Sequence, residues 1–242
     1  MTHRDQTNPS EATALPVDAV PAALIAGLRD LIANSFGEQI AALAPLACDN
    51  LHFKYRDCAD ATEKAILGAA VHQLSNYAQP LRTEIALEFG KRFDAKLNAP
   101  DDALSHTGRF SLEALKLMEH LGMHEEFELE QSVEQLRKAV QTELGTLSDK
   151  LAGLLGRPSL AESHNPVFPR VFARTLLDAL AAIGCEAPVK RVAFRALCPL
   201  LAEVLPYVYD QANSLLDLGG RKLSGEFKVP RREAESEEVC HA

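Results

Sequence analysis

Apolar residues recur at intervals of three and four positions along nearly the whole chain. This is the spacing of α-helices that bury one face, whereas the two-residue alternation of half-buried strands is missing. Asn-Gly and Asp-Gly hairpin turns are missing too. The pattern therefore predicts an all-α fold, a bundle of long helices that forms two helical lobes.

Breaks in this pattern divide the chain into five predicted segments. The best internal boundary contains two Asp, Pro100 and Gly108, which are typical of a linker. The segments are a disordered leader (1–19), an N-terminal helical hairpin lobe (20–97), a linker (98–108), a C-terminal helical lobe (109–220) and a disordered tail (221–242).

The N-terminal lobe is predicted to contain two helices. The first spans residues 20–47, and Pro45 interrupts its last turn. The second spans residues 57–97, and Pro80 should kink it, because proline removes a backbone donor and clashes with the preceding turn. After the linker, residues 111–121 are predicted to form a short helix.

The most regular stripe of apolar residues follows. Its spacing of 4, 3, 4, 4, 3 and 4 residues is an 11-residue repeat, twice over, which predicts a nearly straight helix from Glu125 to Leu155. The stripe consists of Leu129, Val133, Leu136, Val140, Leu144, Leu147 and Leu151. A core-facing helix is the favoured interpretation, because two repeats are short for a coiled coil. A coiled-coil seam of a homodimer remains the alternative.

Two further helices complete the predicted lobe. Asn165 is a good N-cap and Pro166 suits a first helical position, so a helix is predicted to open there and to close at Gly184. A last long helix is predicted from Pro188 to Leu218. The residues expected to bend or end it are Pro199, Pro206, Gly219 and Gly220.

The stretch Asn165–Pro169 (Asn-Pro-Val-Phe-Pro), the helix Arg170–Leu180 after it and the later run Leu200–Leu216 carry a family resemblance. The start Leu115–Met118, followed by an acidic stretch, belongs to the same pattern. These elements resemble the bacterial domain-of-unknown-function family 1631, whose members are often mislabelled thymidine phosphorylase. The resemblance covers residues 24–219. Members are longer, so it implies a short member that lacks the family's C-terminal region.

The phosphorylase label gains no support from the residues. Such an enzyme needs a Gly/Ser-rich phosphate cradle on an α/β scaffold. The nearest candidate, Gly219–Gly225, follows a helix rather than a strand, and it is better interpreted as a helix stop.

Charge is unevenly distributed within a formal net charge of −9. Residues 119–134 contain six Glu and no Lys or Arg, residues 163–232 carry an excess of basic side chains, and residues 233–242 are acidic again. The candidate anion-binding residues are Arg170, Arg174, Lys190, Arg191 and Arg195. Arg170/Arg174 and Arg191/Arg195 are each one helical turn apart and share a face. The alternative is that these cations pair with the acidic segment or the tail.

Other chemistry is not indicated. Gly-x-Ser-x-Gly and similar nucleophile motifs are missing, so the sequence predicts no catalytic residues and no cofactor. His120 and His124 are spaced for one helical face and are the candidate metal ligands. Because Gly122 separates them without an internal Glu, we expect no metal site there.

Cysteine usage and hydropathy indicate a cytoplasmic protein. The five cysteines are an odd number without a Cys-x-x-Cys pair, and Cys185 and Cys198 lie in apolar context, so both are expected in the core as free thiols. The N-terminus lacks the pattern of a signal peptide, and the longest apolar runs are shorter than a membrane span. The net charge argues against nucleic acid as a partner.

Two functional hypotheses follow. The first is a helical interaction or regulatory protein without catalytic activity, which binds a protein partner. The second is a receptor for a phosphate-bearing small molecule, such as a nucleotide second messenger, bound by the basic C-terminal helices.

Overall fold

The structure, a computed structural model, describes residues 19–99 and 112–226, with side chains for residues 21–99 and 125–219. These residues form helices and no strand, which confirms the predicted all-α fold. The helices of the described residues are α1 (Ala19–Asp57), α2 (Ala61–Asn76), α3 (Ala78–Leu97), α4 (Leu112–Ala139), α5 (Gln141–Leu154), α6 (Pro169–Ala182) and α7 (Ala187–Glu226).

One hydrophobic core connects the helices. The long helix α1 packs mainly against α7, α3 and α2, while α6 packs against α3, α4 and α7. Buried residues from all these helices belong to a single cluster, so the core does not divide at the predicted linker. At its centre the ring of Phe172 lies 5.1 Å from that of Phe36, 5.0 Å from that of Phe89 and 5.6 Å from that of Tyr209.

The first helix is longer than predicted, and the second is divided. α1 continues through Pro45 to Asp57, because buried residues beyond the proline hold the helix in the core. The predicted helix over residues 57–97 is two helices that meet at Tyr77, whose φ of −115° and ψ of 20° are not helical. The predicted kink at Pro80 explains this break, since a proline ring clashes with the carbonyl group four residues earlier.

The acidic segment lies within one continuous helix, α4, rather than after a separate short one. The glycine at position 122 does not interrupt α4, since a glycine inside a helix costs only about 1 kcal/mol. The predicted straight helix to Leu155 is instead broken at Val140, whose φ is −120°. All seven residues of the apolar stripe are buried in the core of the chain, as the core-facing interpretation predicted. The side chains that a coiled-coil seam requires are therefore already covered.

The predicted start of α6 is wrong by one turn. α6 begins at Pro169, which takes the first helical position instead of Pro166. The side chain of Asn165 accepts a hydrogen bond from the Val167 backbone at 3.0 Å and donates one to Ser148 Oγ at 2.8 Å. This local bond favours a turn over a helix. The Asn-Pro-Val-Phe-Pro stretch is thus a buried turn attached to α5.

The glycines that were expected to end the last helix do not do so. α7 runs past Gly219 and Gly220 to Glu226, and both internal prolines lie within it. A Cβ atom at Gly219 would lie 2.7 Å from the Leu24 side chain, so glycine is needed there for close packing of α7 on α1. The local signal of a helix stop was overridden by tertiary packing.

Two other glycines end helices as predicted. Gly156 follows α5 with a φ of 65°, and Gly184 follows α6 with a φ of 87°. Both angles are left-handed and favour glycine.

By length and composition, the segment Ala187–Gly219 of α7 is apolar enough to cross a membrane. Its most apolar window is 56% buried inside the protein, as in the core helix of a helical bundle. The thiols of Cys185 and Cys198 are free and buried, as predicted.

Candidate anion-binding cleft

The acidic helix α4 packs against both α6 and α7. Glu126 and Glu130 contact arginines of α6, whereas Glu125 and Glu128 contact basic residues of α7. α4 therefore separates the predicted anion-binding residues into two groups, one on each of its sides.

On the α7 side, basic and acidic residues pair one to one. Lys190 Nζ lies 3.1 Å from Glu125 Oε1, and Arg195 Nε donates to Glu128 Oε2 at 3.2 Å. The side chain of Lys190 is only 16% exposed, which leaves little access for a competing anion, whereas Arg195 is exposed and its partner Glu128 is largely buried. Arg191 is half-buried and makes no ion pair with a described side chain. On this side, Lys190 and Arg195 pair with the acidic segment, which was the alternative to anion binding.

On the α6 side, the cations share carboxylates. Arg170 contacts both Glu126, at 3.3 Å, and Glu130. Arg174 lies 3.6 Å from Glu126 and 3.8 Å from Asp178. These contacts are also made with the acidic segment, but each arginine and Glu126 remain about half-exposed.

Two further cations reach the same place from α3. Arg92 contacts Asp178, which it shares with Arg174, and Lys96 Nζ donates to the backbone carbonyl of Ser163. The sequence analysis did not single out Arg92 and Lys96. They are one helical turn apart, the same signal that identified Arg170/Arg174, but they lie in the more acidic half of the chain.

These four cations border an open cleft between α3, α4 and α6. One part has a volume of about 610 Å³ and is lined by Arg92, Lys96, Arg170 and Arg174 together with apolar side chains. The apolar lining consists of Ala95, Ala99, Leu129, Phe168 and Val171. A second part, of about 710 Å³, shares Lys96, Phe168 and Arg170 with the first, so the two are adjacent.

The cations of the cleft are incompletely paired, although Glu162 also lines it. The ion pairs of the four cations involve three carboxylates, Asp178, Glu126 and Glu130. Lys96 makes no ion pair with a described carboxylate, and Arg92 Nε is buried without a hydrogen-bond partner among the described residues. An anion placed in the cleft would supply the missing acceptors.

Burial and neighbouring positive charge disfavour the charged forms of two cleft residues. Burial lowers the pKa of Lys96, and the positive charges of Arg170 and Arg92 lower it further. Burial also lowers the pKa of Arg92, assisted by the charge of Arg174. Like charges that disfavour each other's charged forms are stabilised by a bound anion. The N-terminus of α6, beside Phe168, adds a favourable helix dipole.

The remaining predicted sites lie partly outside the described residues. His120 and His124 fall on α4, but their side chains are not described. Among the described side chains, no group of three or more His, Cys, Asp or Glu is placed to hold a metal ion. The acidic tail, residues 233–242, also lies outside the described part.

Comparison with known proteins gives one result. No curated protein and no solved structure matches this chain. The family model described as the N-terminal domain of a protein of unknown function (DUF1631) matches residues 20–220. The match covers the whole helical bundle from α1 into α7, in agreement with the resemblance carried by the Asn-Pro-Val-Phe-Pro stretch. The chain therefore belongs to the DUF1631 family.

Proposed function

We propose that this chain is a regulatory module that binds a phosphate-bearing small molecule, without catalysing its conversion, in the cleft between α3, α4 and α6. The observation that carries the proposal is the group of four cations, Arg92, Lys96, Arg170 and Arg174, around one cleft, in which the three arginines share three carboxylates and Lys96 pairs with no described carboxylate.

A phosphate group suits this arrangement chemically. Arginine forms bidentate hydrogen bonds with phosphate oxygens, and lysine adds a compact positive charge. The larger body of a ligand would rest on the apolar lining at Leu129, Phe168 and Val171. A volume of about 610 Å³ lies within the range of small-molecule sites. A nucleotide second messenger has both a charged group and a flat apolar body.

The proposal changes the predicted set of binding residues. Arg170 and Arg174 stay in it, and Arg92 and Lys96 join them. Lys190 and Arg195 leave it, because each is paired with a glutamate of its own on α4, Glu125 or Glu128.

Thermal shift of the purified chain tests the proposal. Pyrophosphate and a panel of nucleotides are compared with potassium chloride at matched ionic strength. We expect a rise in Tm that grows with ligand concentration, since a ligand that binds the folded state stabilises it by mass action. If none of these anions raises Tm above the chloride control at millimolar concentration, the proposal is wrong.

A protein partner is the second candidate, and the end of α1 favours it. Residues 52–57 extend beyond the core with every side chain exposed, and Phe53 is 64% exposed. Exposed aromatic residues are enriched at protein interfaces. If a second copy of the chain is this partner, sedimentation should show a dimer that Phe53→Ser dissociates; a monomer at all concentrations would contradict the homodimer.

A cytoplasmic location is part of the proposal. The four described cysteines, Cys48, Cys58, Cys185 and Cys198, are free thiols. Free thiols are typical of proteins in reducing compartments.

A further inference from the structure

Lys96 lacks the carboxylate partner that most of the described lysines have. Lys91, Lys138, Lys150 and Lys190 each lie within 3.5 Å of a carboxylate oxygen. Lys96 instead donates to a backbone carbonyl group and lines both parts of the cleft. Its amine is therefore placed where a ligand would lie.

The surroundings of Lys96 are rich in positive charge. Arg92 lies on the same helix, Arg170 and Arg174 approach from α6, and the carboxylates of the cleft belong to α4 and to the segment before α6. These carboxylates are Glu126, Glu130 and Glu162, and Asp178 of α6 pairs with Arg92 and Arg174 at the same place. Burial and the neighbouring guanidinium groups of Arg170 and Arg92 lower the pKa of Lys96, which makes its uncharged amine easier to form than that of an exposed lysine. An uncharged lysine amine beside other cations is a nucleophile.

We propose that Lys96 captures a phosphate-bearing aldehyde or ketone reversibly as an imine. The inference rests on the proposed function, because the phosphate group bound by Arg92, Arg170 and Arg174 would hold the carbonyl carbon beside the amine. The chemical class of ligand is thus a small carbonyl compound that carries a phosphate group.

The reaction needs no oxidant or reductant. The lone pair of Lys96 Nζ forms a bond to the carbonyl carbon, and the π electrons of the C=O bond move to oxygen, which takes up a proton. The nitrogen then loses one proton, the hydroxyl group is protonated and leaves as water while the C=N bond forms, and the nitrogen loses its second proton to give the neutral imine. The carboxylates of Glu126 and Glu162, which line the cleft, accept and return the proton. Water reverses the sequence and releases the carbonyl compound.

Pyridoxal 5′-phosphate is a suitable probe, since it carries an aldehyde and a phosphate group on a flat ring. The intact chain is treated with a limiting amount of probe, reduced with borohydride, digested and analysed by mass spectrometry. Lys91, which is exposed on the same helix, serves as the internal reference. We expect Lys96 to be labelled at least about tenfold more than Lys91, because a bound phosphate group raises the local concentration of the aldehyde. Pyrophosphate should protect Lys96, and Lys96→Arg should remove the label while Lys91→Arg leaves it.

Three results separate the inference from the proposed function. Equal labelling of Lys96 and Lys91, together with pyrophosphate binding in calorimetry, overturns the inference and supports the proposed function. Selective labelling of Lys96 in a protein that does not bind pyrophosphate supports the reactive amine and overturns the proposed function. Equal selectivity for pyridoxal, which lacks the phosphate group, overturns the role of the phosphate. Because the labelling of Lys96 and Lys91 is compared within the wild-type chain, this test does not depend on the folding of a variant.

Discussion

The two sides of α4 carry similar charges but use them differently. Towards α7, Lys190 and Arg195 each form an ion pair with one glutamate. In each pair, one of the two side chains is largely buried. Towards α6, Arg170 and Arg174 share Glu126, and Arg92 and Lys96 add further positive charge beside an open cleft. The α7 side is therefore a structural contact, and the α6 side is a candidate binding site.

The difference teaches that spacing on a helix does not distinguish a site from a contact. Arg170/Arg174 and Arg191/Arg195 have the same four-residue separation. What separates the two sides is that Arg170 and Arg174 share carboxylates beside an open cleft, whereas Arg195 has a glutamate of its own, and this depends on where α3 and α4 pack.

Phe172→Ala should disrupt both sides of α4 together. Phe172 is fully buried on α6, and its ring packs within 5.1 Å of the rings of Phe36 and Phe89. Loss of this side chain should lower the free energy of unfolding by about 3–5 kcal/mol. Urea denaturation monitored by circular dichroism measures this loss of free energy. Substitution of an exposed aromatic side chain, Phe53→Ala, is the matched control. A loss below about 1 kcal/mol would show that the aromatic cluster does not support α6.

Raising the pH should test how well the α7 side is sealed. Cys198 lies on α7, and burial raises the pKa of its thiol to about 11, while Ser132 of α4 opposes this weakly. Below pH 9 the thiol is neutral in both folded and unfolded chains. As the pH rises from 9 towards 11, only the unfolded chain ionises, so the free energy of unfolding should fall by about 2 kcal/mol.

The comparison with Cys198→Ala isolates this effect from that of other titrating groups. Urea denaturation of both chains between pH 8 and 11 should show a steeper decline for the wild type. Parallel declines would mean that solvent reaches the thiol and that the contact between α4 and α7 is open.

Removal of one competing carboxylate should sharpen the contrast. Glu126→Gln keeps the shape of the side chain but removes the charge that Arg170 and Arg174 share. Because the carboxylate and a bound anion compete for the same cations, pyrophosphate affinity should rise by about three- to tenfold. Glu128→Gln, on the opposite side of α4, should leave it unchanged. Equal effects of both substitutions would indicate only a general change in net charge.

Much of the fold follows from local patterns. The apolar stripe from Leu129 to Leu151 is buried as its period required, and Gly156 and Gly184 end helices because their left-handed φ angles favour glycine. The exceptions have tertiary causes. Gly219 lies within α7 because Leu24 of α1 packs against it, and Asn165 forms a turn because its side chain bonds to Val167 and Ser148.

The candidate site was only half predictable. Arg170 and Arg174 were identified from a basic region, but Arg92 and Lys96 lie about 80 residues earlier in an acidic one. The packing of α3 against α6 brings the two pairs together, and helical periodicity does not specify which helices become neighbours. The position of α4 likewise decided the partners of Lys190 and Arg195, which are Glu125 and Glu128.

Isothermal titration with pyrophosphate tests the central claim most directly. The wild type is compared with Arg170→Ala, on the α6 side of α4, and with Arg195→Ala, on the α7 side. Because Arg170 would donate charged hydrogen bonds to the phosphate, its loss should weaken binding by about tenfold or more, whereas the loss of Arg195 should change affinity less than about twofold. Equal weakening by the two substitutions, or no binding to the wild type, would contradict the assignment of the cleft as an anion site.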